Sequence, residues 1–437
     1  MLKRKAEAQL LAWLNGDNGK ALLVSGARQV GKTYLVDSFV ARHFENVVKF
    51  DLIEDASLQR SFSQATSAED LFLRISLAAR VPLVPEKTVV FIDEVQRAPE
   101  IATFIKYLVQ QDSGLRYILS GSLLGIELEN IKSQPVGYLR EIEMFPLDFE
   151  EFCWANGMQE QAFDILGDAL SDHVEIPDFL HGQLLSLYHR YLIVGGMPAA
   201  VAAFVDGKGI DAVRSEQADI HAFYRRDITQ YAPKEQRLII QDIYDLIPSE
   251  ISARTKRFKL GSIPDVKKFS QVDQEFLWLT KAGVAIPVYN VSAPTQPLLA
   301  SEQRSRFKLF YLDVGMLTST YFKTDTIGLL DGDTRANLGG VYENAVAQQF
   351  TCHGFRPYYF SSRKVGELDF LLERADGTII AIEVKSGSNY LTHAALDNAL
   401  GIADYHIDEA YVLAETNVRQ RDGILYLPIY SACFMKP

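Results

Sequence analysis

Gly26-Ala-Arg-Gln-Val-Gly31-Lys32-Thr33 follows directly on the apolar run Ala21-Leu-Leu-Val-Ser25, and apolar residues at helical spacing come after it. Strand, glycine-bearing loop and helix, in that order, are what a phosphate-binding loop requires. Glycines let backbone N–H groups turn inward around anionic oxygens, and the helix N-terminus adds partial positive charge. Gly26, Ala27, Arg28, Gln29, Val30, Gly31, Lys32, Thr33 and Tyr34 are therefore expected to line a site for ATP. The Lys32 ammonium is placed to reach the β- and γ-phosphates, and the Thr33 hydroxyl to ligate the accompanying Mg²⁺.

This eight-residue pattern also arises by chance in long chains, so the next strand decides its meaning. Val89-Val-Phe-Ile-Asp93-Glu94 is a buried-strand run ending in two carboxylates. In P-loop ATPases the first of such a pair, here Asp93, holds Mg²⁺, and the second, Glu94, polarises the attacking water. A third apolar run, Tyr117-Ile-Leu-Ser120-Gly-Ser122, follows a helix-length stretch. Ser120 is expected between the two motifs, where a polar side chain helps orient the water, although a turn role also suits either serine. Alternating strands and helices imply a parallel sheet flanked by helices.

GARQVGKT, VVFIDEVQRAPE, LSGSLLG and MFPLDFEEF, in this order, make the chain similar to bacterial and archaeal AAA-type ATP-binding proteins whose C-terminal domain is uncharacterised and nuclease-like. GGMPAAV around Gly195, FKLFYLDVGML around Leu312, and GELDF with IEVK carry the resemblance over nearly the full length. The resemblance implies an α/β multidomain chain. Its parts would be a P-loop AAA-type parallel sheet over 1–150, a helical lid over 151–235, a winged helix over 236–325 and a restriction-endonuclease-like α/β domain over 326–437. The arginine that completes such an ATP site is not singled out; Arg28, Arg140, Arg225 and Arg226 are candidates, and each also suits a surface ion pair.

The residues of the middle region agree with helices. From Phe149 to Tyr231 helix formers dominate. Beyond them, Leu238 to Ile247 and Gln274 to Leu279 read as amphipathic helices, and Gly283-Val-Ala-Ile-Pro-Val-Tyr as a strand. Helices followed by a β-wing make a helix-turn-helix variant that often enters the major groove. The most basic window lies between them: Arg254, Lys256, Arg257, Lys259, Lys267 and Lys268 against Asp265 alone. Contact with DNA phosphates is one reading and a solvated loop the other.

Gly366-Glu-Leu-Asp369-Phe-Leu-Leu-Glu and Thr378-Ile-Ile-Ala-Ile-Glu383-Val-Lys385 flank an Asp376-Gly377 turn and read as a hairpin. Pairing outward from a two-residue turn sets Asp369 opposite Glu383, to within about one position. Glu383 and Lys385 are two apart on a strand and share a face. The outcome is the D…E-x-K arrangement of the PD-(D/E)XK nuclease fold, with Glu343 added from a helical stretch starting near Val341. Glu343, Asp369 and Glu383 are hard oxygen ligands suited to Mg²⁺, and Lys385 to activating water and stabilising developing charge. Solvated charges on a strand face are the plainer reading, and many domains of this fold serve only to bind.

Composition bounds these readings. A chain of 437 residues exceeds a single small module, and 48% hydrophobic with 23% charged residues supports a folded core. The net charge of −12 argues against a protein that coats nucleic acid nonspecifically. Cys153, Cys352 and Cys433 are far apart and odd in number, which points to neither disulfides nor zinc but to a reducing compartment, the cytoplasm. The opening MLKRKAEAQLLAWL suits an amphipathic helix rather than a signal peptide, and Leu192 to Val205 is too short to span a bilayer. Three functions fit: an ATPase that controls a Mg²⁺-dependent, DNA-directed nuclease-like domain; an ATP-driven switch whose C-terminal domain only binds DNA or protein; and a clamp that binds ATP without turnover. Self-association fits each of them.

Overall fold

The computed structural model describes residues 2–16, 19–111, 114–122, 137–253, 255–321 and 338–437. Arg254, residues 123–125 of the LSGSLLG motif, and 326–337 at the start of the expected C-terminal domain lie outside them. The chain divides into two compact units: Lys3–Phe145 with Lys281–Gly283, and Pro146–Thr280 with Val284–Pro437.

In the N-terminal unit five strands, β1 (Ala21–Gly26), β2 (Asn46–Asp51), β3 (Thr88–Asp93), β4 (Arg116–Ser120) and β5 (Leu139–Met144), lie in the order β2-β3-β4-β1-β5. Every pairing is parallel. Parallel strands are covered on both faces, which is why β3 is an unbroken apolar run buried along its whole length. On one face Leu23, Val90, Ile92 and Leu119 share a core with Phe62, Leu71 and Ile105 from flanking helices. The order places β4 between β1 and β3. The strand ends that carry the glycine loop, Ser120 and Asp93 therefore lie side by side, at the carboxyl edge where α/β sheets bind ligands.

The second unit starts with helices Phe149–Ala155, Glu160–Ser171, Asp178–Val194, Pro198–Val205 and Ile210–Tyr231. Helices Arg237–Ser252 and Asp273–Lys281 follow, then a mixed sheet of eight strands. Its strands are β6 (Ala285–Val291), β7 (Glu302–Tyr311), β8 (Tyr358–Ser362), β9 (Gly366–Glu373), β10 (Ile379–Val384), β11 (Glu409–Ala414), β12 (Arg419–Arg421) and β13 (Ile424–Pro428), in the order β12-β13-β11-β10-β9-β8-β6-β7.

The strand expected from Gly283 as part of a wing is β6, which pairs with β7 and, in parallel, with β8, so it is a strand of this sheet. The last five residues of β7 are all buried, more than an isolated two-stranded hairpin can cover. By compactness, the helices expected as a lid group with the mixed sheet in this second unit.

Helix Gly339–Cys352 is buried from Gly340 to Phe350, and its polar side chains are all engaged. The Asn344 amide closes on the Tyr311 backbone (2.9 and 3.1 Å), Gln348 accepts from Val314 N–H (2.9 Å), and Gln349 accepts from Phe149 N–H (3.1 Å). Such fully satisfied buried amides fix one register between helix and sheet. No helix among the described residues is long and apolar enough to cross a membrane. None of the three cysteines is in a disulfide, and burial pushes the Cys153 thiol well up.

Candidate functional site

β1 ends at Gly26, whose φ of 128° turns the chain out of the sheet; a Cβ there would lie 2.1 Å from the Met144 carbonyl oxygen. Gln29 (φ 68°) and Gly31 (φ 91°) complete the loop. The helix Lys32–His43 then starts with no side chain capping it, so its first turn presents N–H groups of the kind phosphates occupy. Lys32 is buried, its Nζ donating to the carbonyls of Gly26 (3.0 Å) and Ala27 (2.7 Å). Tyr34, 61% exposed, stands on the first helical turn.

Asp93, only 3% exposed, ends β3 and is held on both oxygens. Oδ2 accepts from Thr33 Oγ1 at 2.6 Å; Oδ1 accepts from the Ser120 hydroxyl and, at 3.0 Å, from the Glu94 N–H. Glu94 adopts a left-handed backbone (φ 57°, ψ 46°), uncommon outside glycine. Its carboxylate accepts from Ser122 Oγ (3.2 Å) and from the Gln96 amide, and Ser122 accepts from Arg28 Nε (3.1 Å). Loop, strand-end acid and intervening serine thus form one hydrogen-bonded set. Thr33 and Asp93 supply adjacent hard oxygens, a donor pair that fits Mg²⁺.

The other arginine candidates stand on other elements. Arg140 is on β5 opposite Leu22. Arg225 pairs with Asp245 at 2.7 Å, and the Arg226 guanidinium lies 4.3 Å over the Phe223 ring, both on helix Ile210–Tyr231 of the second unit.

The C-terminal carboxylates also come together. The β9–β10 loop has three residues rather than two: Arg374 N–H bonds to Thr378 O (3.0 Å), with Gly377 at φ 89°. A three-residue loop with glycine in the left-handed position is a standard hairpin closure. The resulting register, Ile382 opposite Phe370, leads on to Glu383 opposite Asp369, and Val384 N–H donates to Asp369 Oδ2 at 2.9 Å. Lys385 Nζ lies 2.7 Å from Glu383 Oε1.

At the centre of these acids is a residue the sequence reading did not single out, Lys308 of β7. Its Nζ is 3.0 Å from Glu343 Oε2, 3.1 Å from Glu367 Oε1 and 3.6 Å from Asp369 Oδ1, and its side chain is 0% exposed. Lys256 bonds the other Glu343 oxygen, and Arg257 lies 3.1 Å from Glu367. Two members of the basic window thus pair with acids of the same unit, while Lys259, Lys267 and Lys268 are exposed.

Burial works against the Lys308 ammonium, but Glu343, Asp369 and Glu367 outweigh it and hold it above the ordinary lysine range. Burial would likewise raise Glu343, and Lys308 with Lys256 instead holds it below the usual carboxylate range. Asp369 is pushed up to about 8 by burial, with Glu343 and Glu383 adding to it. Glu383 Oε2 is buried without a hydrogen bond. The Lys308 ammonium lies among Glu343, Glu367 and Asp369, three acids that include two of the three expected to hold Mg²⁺; among the described residues no three acidic, histidine or cysteine side chains are placed to hold a metal ion.

Residues 18–153 match the AAA domain family. With the strand order and loop geometry above, this makes that segment an AAA-type P-loop domain, a fold that binds ATP. Residues 185–326 and 338–432 match two families described as domains of unknown function. An uncharacterised protein of Methanocaldococcus jannaschii is 22% identical over 417 residues, covering 90% of this chain and 83% of that protein. The Walker-type ATPase of Pyrococcus abyssi is similar at 14% identity and a TM-score of 0.43, over 74% of this chain and 96% of its own. The RuvB Holliday junction branch migration motor of Thermotoga maritima is similar at 14% identity and a TM-score of 0.31, over 70% and 92%.

Two further residues of the N-terminal unit escape sequence reading. Arg4 braces the loop, donating from Nη1 to Val30 O (2.8 Å) and from Nη2 to Phe145 O (2.6 Å). Its partners are 26 and 141 residues away, and no local pattern marks it. Gln96 orients Glu94, and its only signal is its place two residues after the acid.

Proposed function

We propose that this protein hydrolyses ATP in its AAA domain and uses the cycle as a switch on its second unit, which acts as a non-catalytic DNA- or protein-binding module. The observation that carries the first half is the pair of hydroxyls, Thr33 and Ser120, donating to the two oxygens of Asp93. Mg²⁺ bound with ATP supplies neutralisation of phosphate charge. Thr33 and Asp93 would hold it, and Gly26, Ala27, Arg28, Gln29, Val30 and Gly31 would wrap the phosphates. Lys32 would exchange the carbonyls of Gly26 and Ala27 for phosphate oxygens. Glu94, oriented by Ser122 and Gln96, would accept the proton of the attacking water.

The second half is favoured by Lys308, since nuclease chemistry at Glu343, Asp369, Glu383 and Lys385 asks for an open carboxylate site. DNA and a second copy of the chain remain candidate partners, with Lys259, Lys267 and Lys268 the exposed cations of the basic window. The test is phosphate release by wild type and Lys32→Ala, with Mg²⁺ and with EDTA. Turnover by wild type with Mg²⁺ alone is expected; none in saturating Mg·ATP would leave only the clamp.

A further inference from the structure

Four carboxylates of the second unit, Glu343, Glu367, Asp369 and Glu383, are met by four cationic side chains, Lys256, Arg257, Lys308 and Lys385. These come from three separate places: the segment before the mixed sheet, β7, and the residue that follows β10. Lys308 alone touches three of the acids, and nothing of its side chain reaches solvent. A divalent ion shared by those oxygens would need ligands at about 2.0–2.6 Å, which is the volume the Lys308 Nζ takes up. It would also stand beside the Lys256 ammonium.

We propose that Lys308 is the resident cation of this cluster, an ammonium built into the position of a hard divalent metal ion, so that the second unit keeps its carboxylates ordered without metal. A lone buried ammonium is strongly disfavoured, and so is an uncompensated buried carboxylate group. Lysine and acids therefore hold each other in place. Lys256 extends the device from a different segment: it takes the Glu343 oxygen that Lys308 leaves, and its backbone lies in the left-handed region at φ 47°. Removing the Lys308 charge while keeping its length leaves a pocket of carboxylate oxygens with the charge and chemistry of a Mg²⁺ or Mn²⁺ site. The inference concerns the second unit alone, so failure of the ATPase reading leaves it standing, and the reverse holds.

The experiment is Mn²⁺ binding to the full chain without nucleotide, followed by electron paramagnetic resonance, for wild type, Asp369→Asn, Lys308→Met and Lys308→Met/Asp369→Asn. Asp369→Asn subtracts whatever the AAA domain binds. Wild type and Asp369→Asn are expected to bind alike, and Lys308→Met to gain one class of site, at least about tenfold tighter and lost again in the double variant. Wild-type binding that disappears in Asp369→Asn overturns the proposal, as does a folded Lys308→Met with no new site. Should Lys308→Met not fold, melting temperatures decide: Mn²⁺ raising that of wild type but not that of Asp369→Asn contradicts a resident lysine, and equal shifts uphold it.

Discussion

The Thr33 hydroxyl donates a 2.6 Å hydrogen bond to Asp93 Oδ2, joining the first turn after the glycine loop to the end of β3. Both groups are the oxygens expected to share Mg²⁺. Asp93→Asn keeps the shape and an acceptor for Thr33 but lowers the charge. Mg²⁺-dependent phosphate release is expected to fall by about 10²–10³, in line with losing one preorganised electrostatic group, while circular dichroism stays that of wild type.

Ser120 bonds the other Asp93 oxygen from β4. Ser120→Ala leaves that buried oxygen with one donor fewer, at a cost of about 1–3 kcal/mol in stability. Turnover is expected to drop with ATP affinity changed by less than about threefold, the pattern of an interaction that matters in the transition state. Parallel binding and steady-state assays check this.

The GGMP and LDVGML motifs meet in one buried junction. Asp313 Oδ2 accepts from Gly196 N–H at 2.6 Å, and a Cβ on Gly196 would lie 2.0 Å from the Leu147 carbonyl oxygen. A Cβ on Gly315 would lie 2.5 Å from Val194 O. These motifs are packing devices of the second unit. Gly196→Ala is expected to cost about 3 kcal/mol, read as a lower denaturation midpoint, with Lys32-dependent ATP binding retained.

His221 is buried between the Tyr244 hydroxyl (2.6 Å) and the Met316 carbonyl (3.1 Å). Burial, opposed by the Met316 bond and aided by Arg225, pushes its pKa down to about 4. A depressed histidine means that the unfolded chain takes up the proton first. Its contribution is fully present above the ordinary value of about 6.5 and is lost as pH falls toward 4, in total about 3 kcal/mol. His221→Gln should flatten that part of the stability profile, measured by denaturant melts at several pH values.

Lys256 and Lys259 are three residues apart and differ in kind. Lys256→Met removes one partner of the buried Glu343 and is expected to destabilise by about 3–5 kcal/mol. Neutralising the exposed Lys259, Lys267 and Lys268 together should leave stability within about 0.5 kcal/mol. Any DNA affinity should lose salt dependence with the second change.

What could be read from the chain is what is decided locally. The glycine loop, the apolar run into Asp93 and Glu94, and the Asp-Gly hairpin each carry their reason within a dozen residues. Lys308 does not. It sits in Phe307-Lys-Leu-Phe-Tyr, the otherwise apolar second half of β7, and its partner Glu343 is 35 residues on. A lysine at an inward strand position was the available signal. The strand from Gly283 read as a wing because the helices before it are near in sequence, whereas the pairing of β6 with Tyr358 to Phe360 of β8 is not local. Lys256 and Arg257 read as solvated charges or phosphate contacts because charge in a loop defaults to the surface until acids from distant segments are placed against it.

The most direct test of the ATPase account is the comparison of wild type with Glu94→Gln at saturating Mg·ATP, with affinity measured separately at equilibrium. The account predicts ATP affinity within about threefold of wild type and a kcat lower by about 10²–10⁴, the usual contribution of a positioned general base. Equal phosphate release by the two proteins would contradict it.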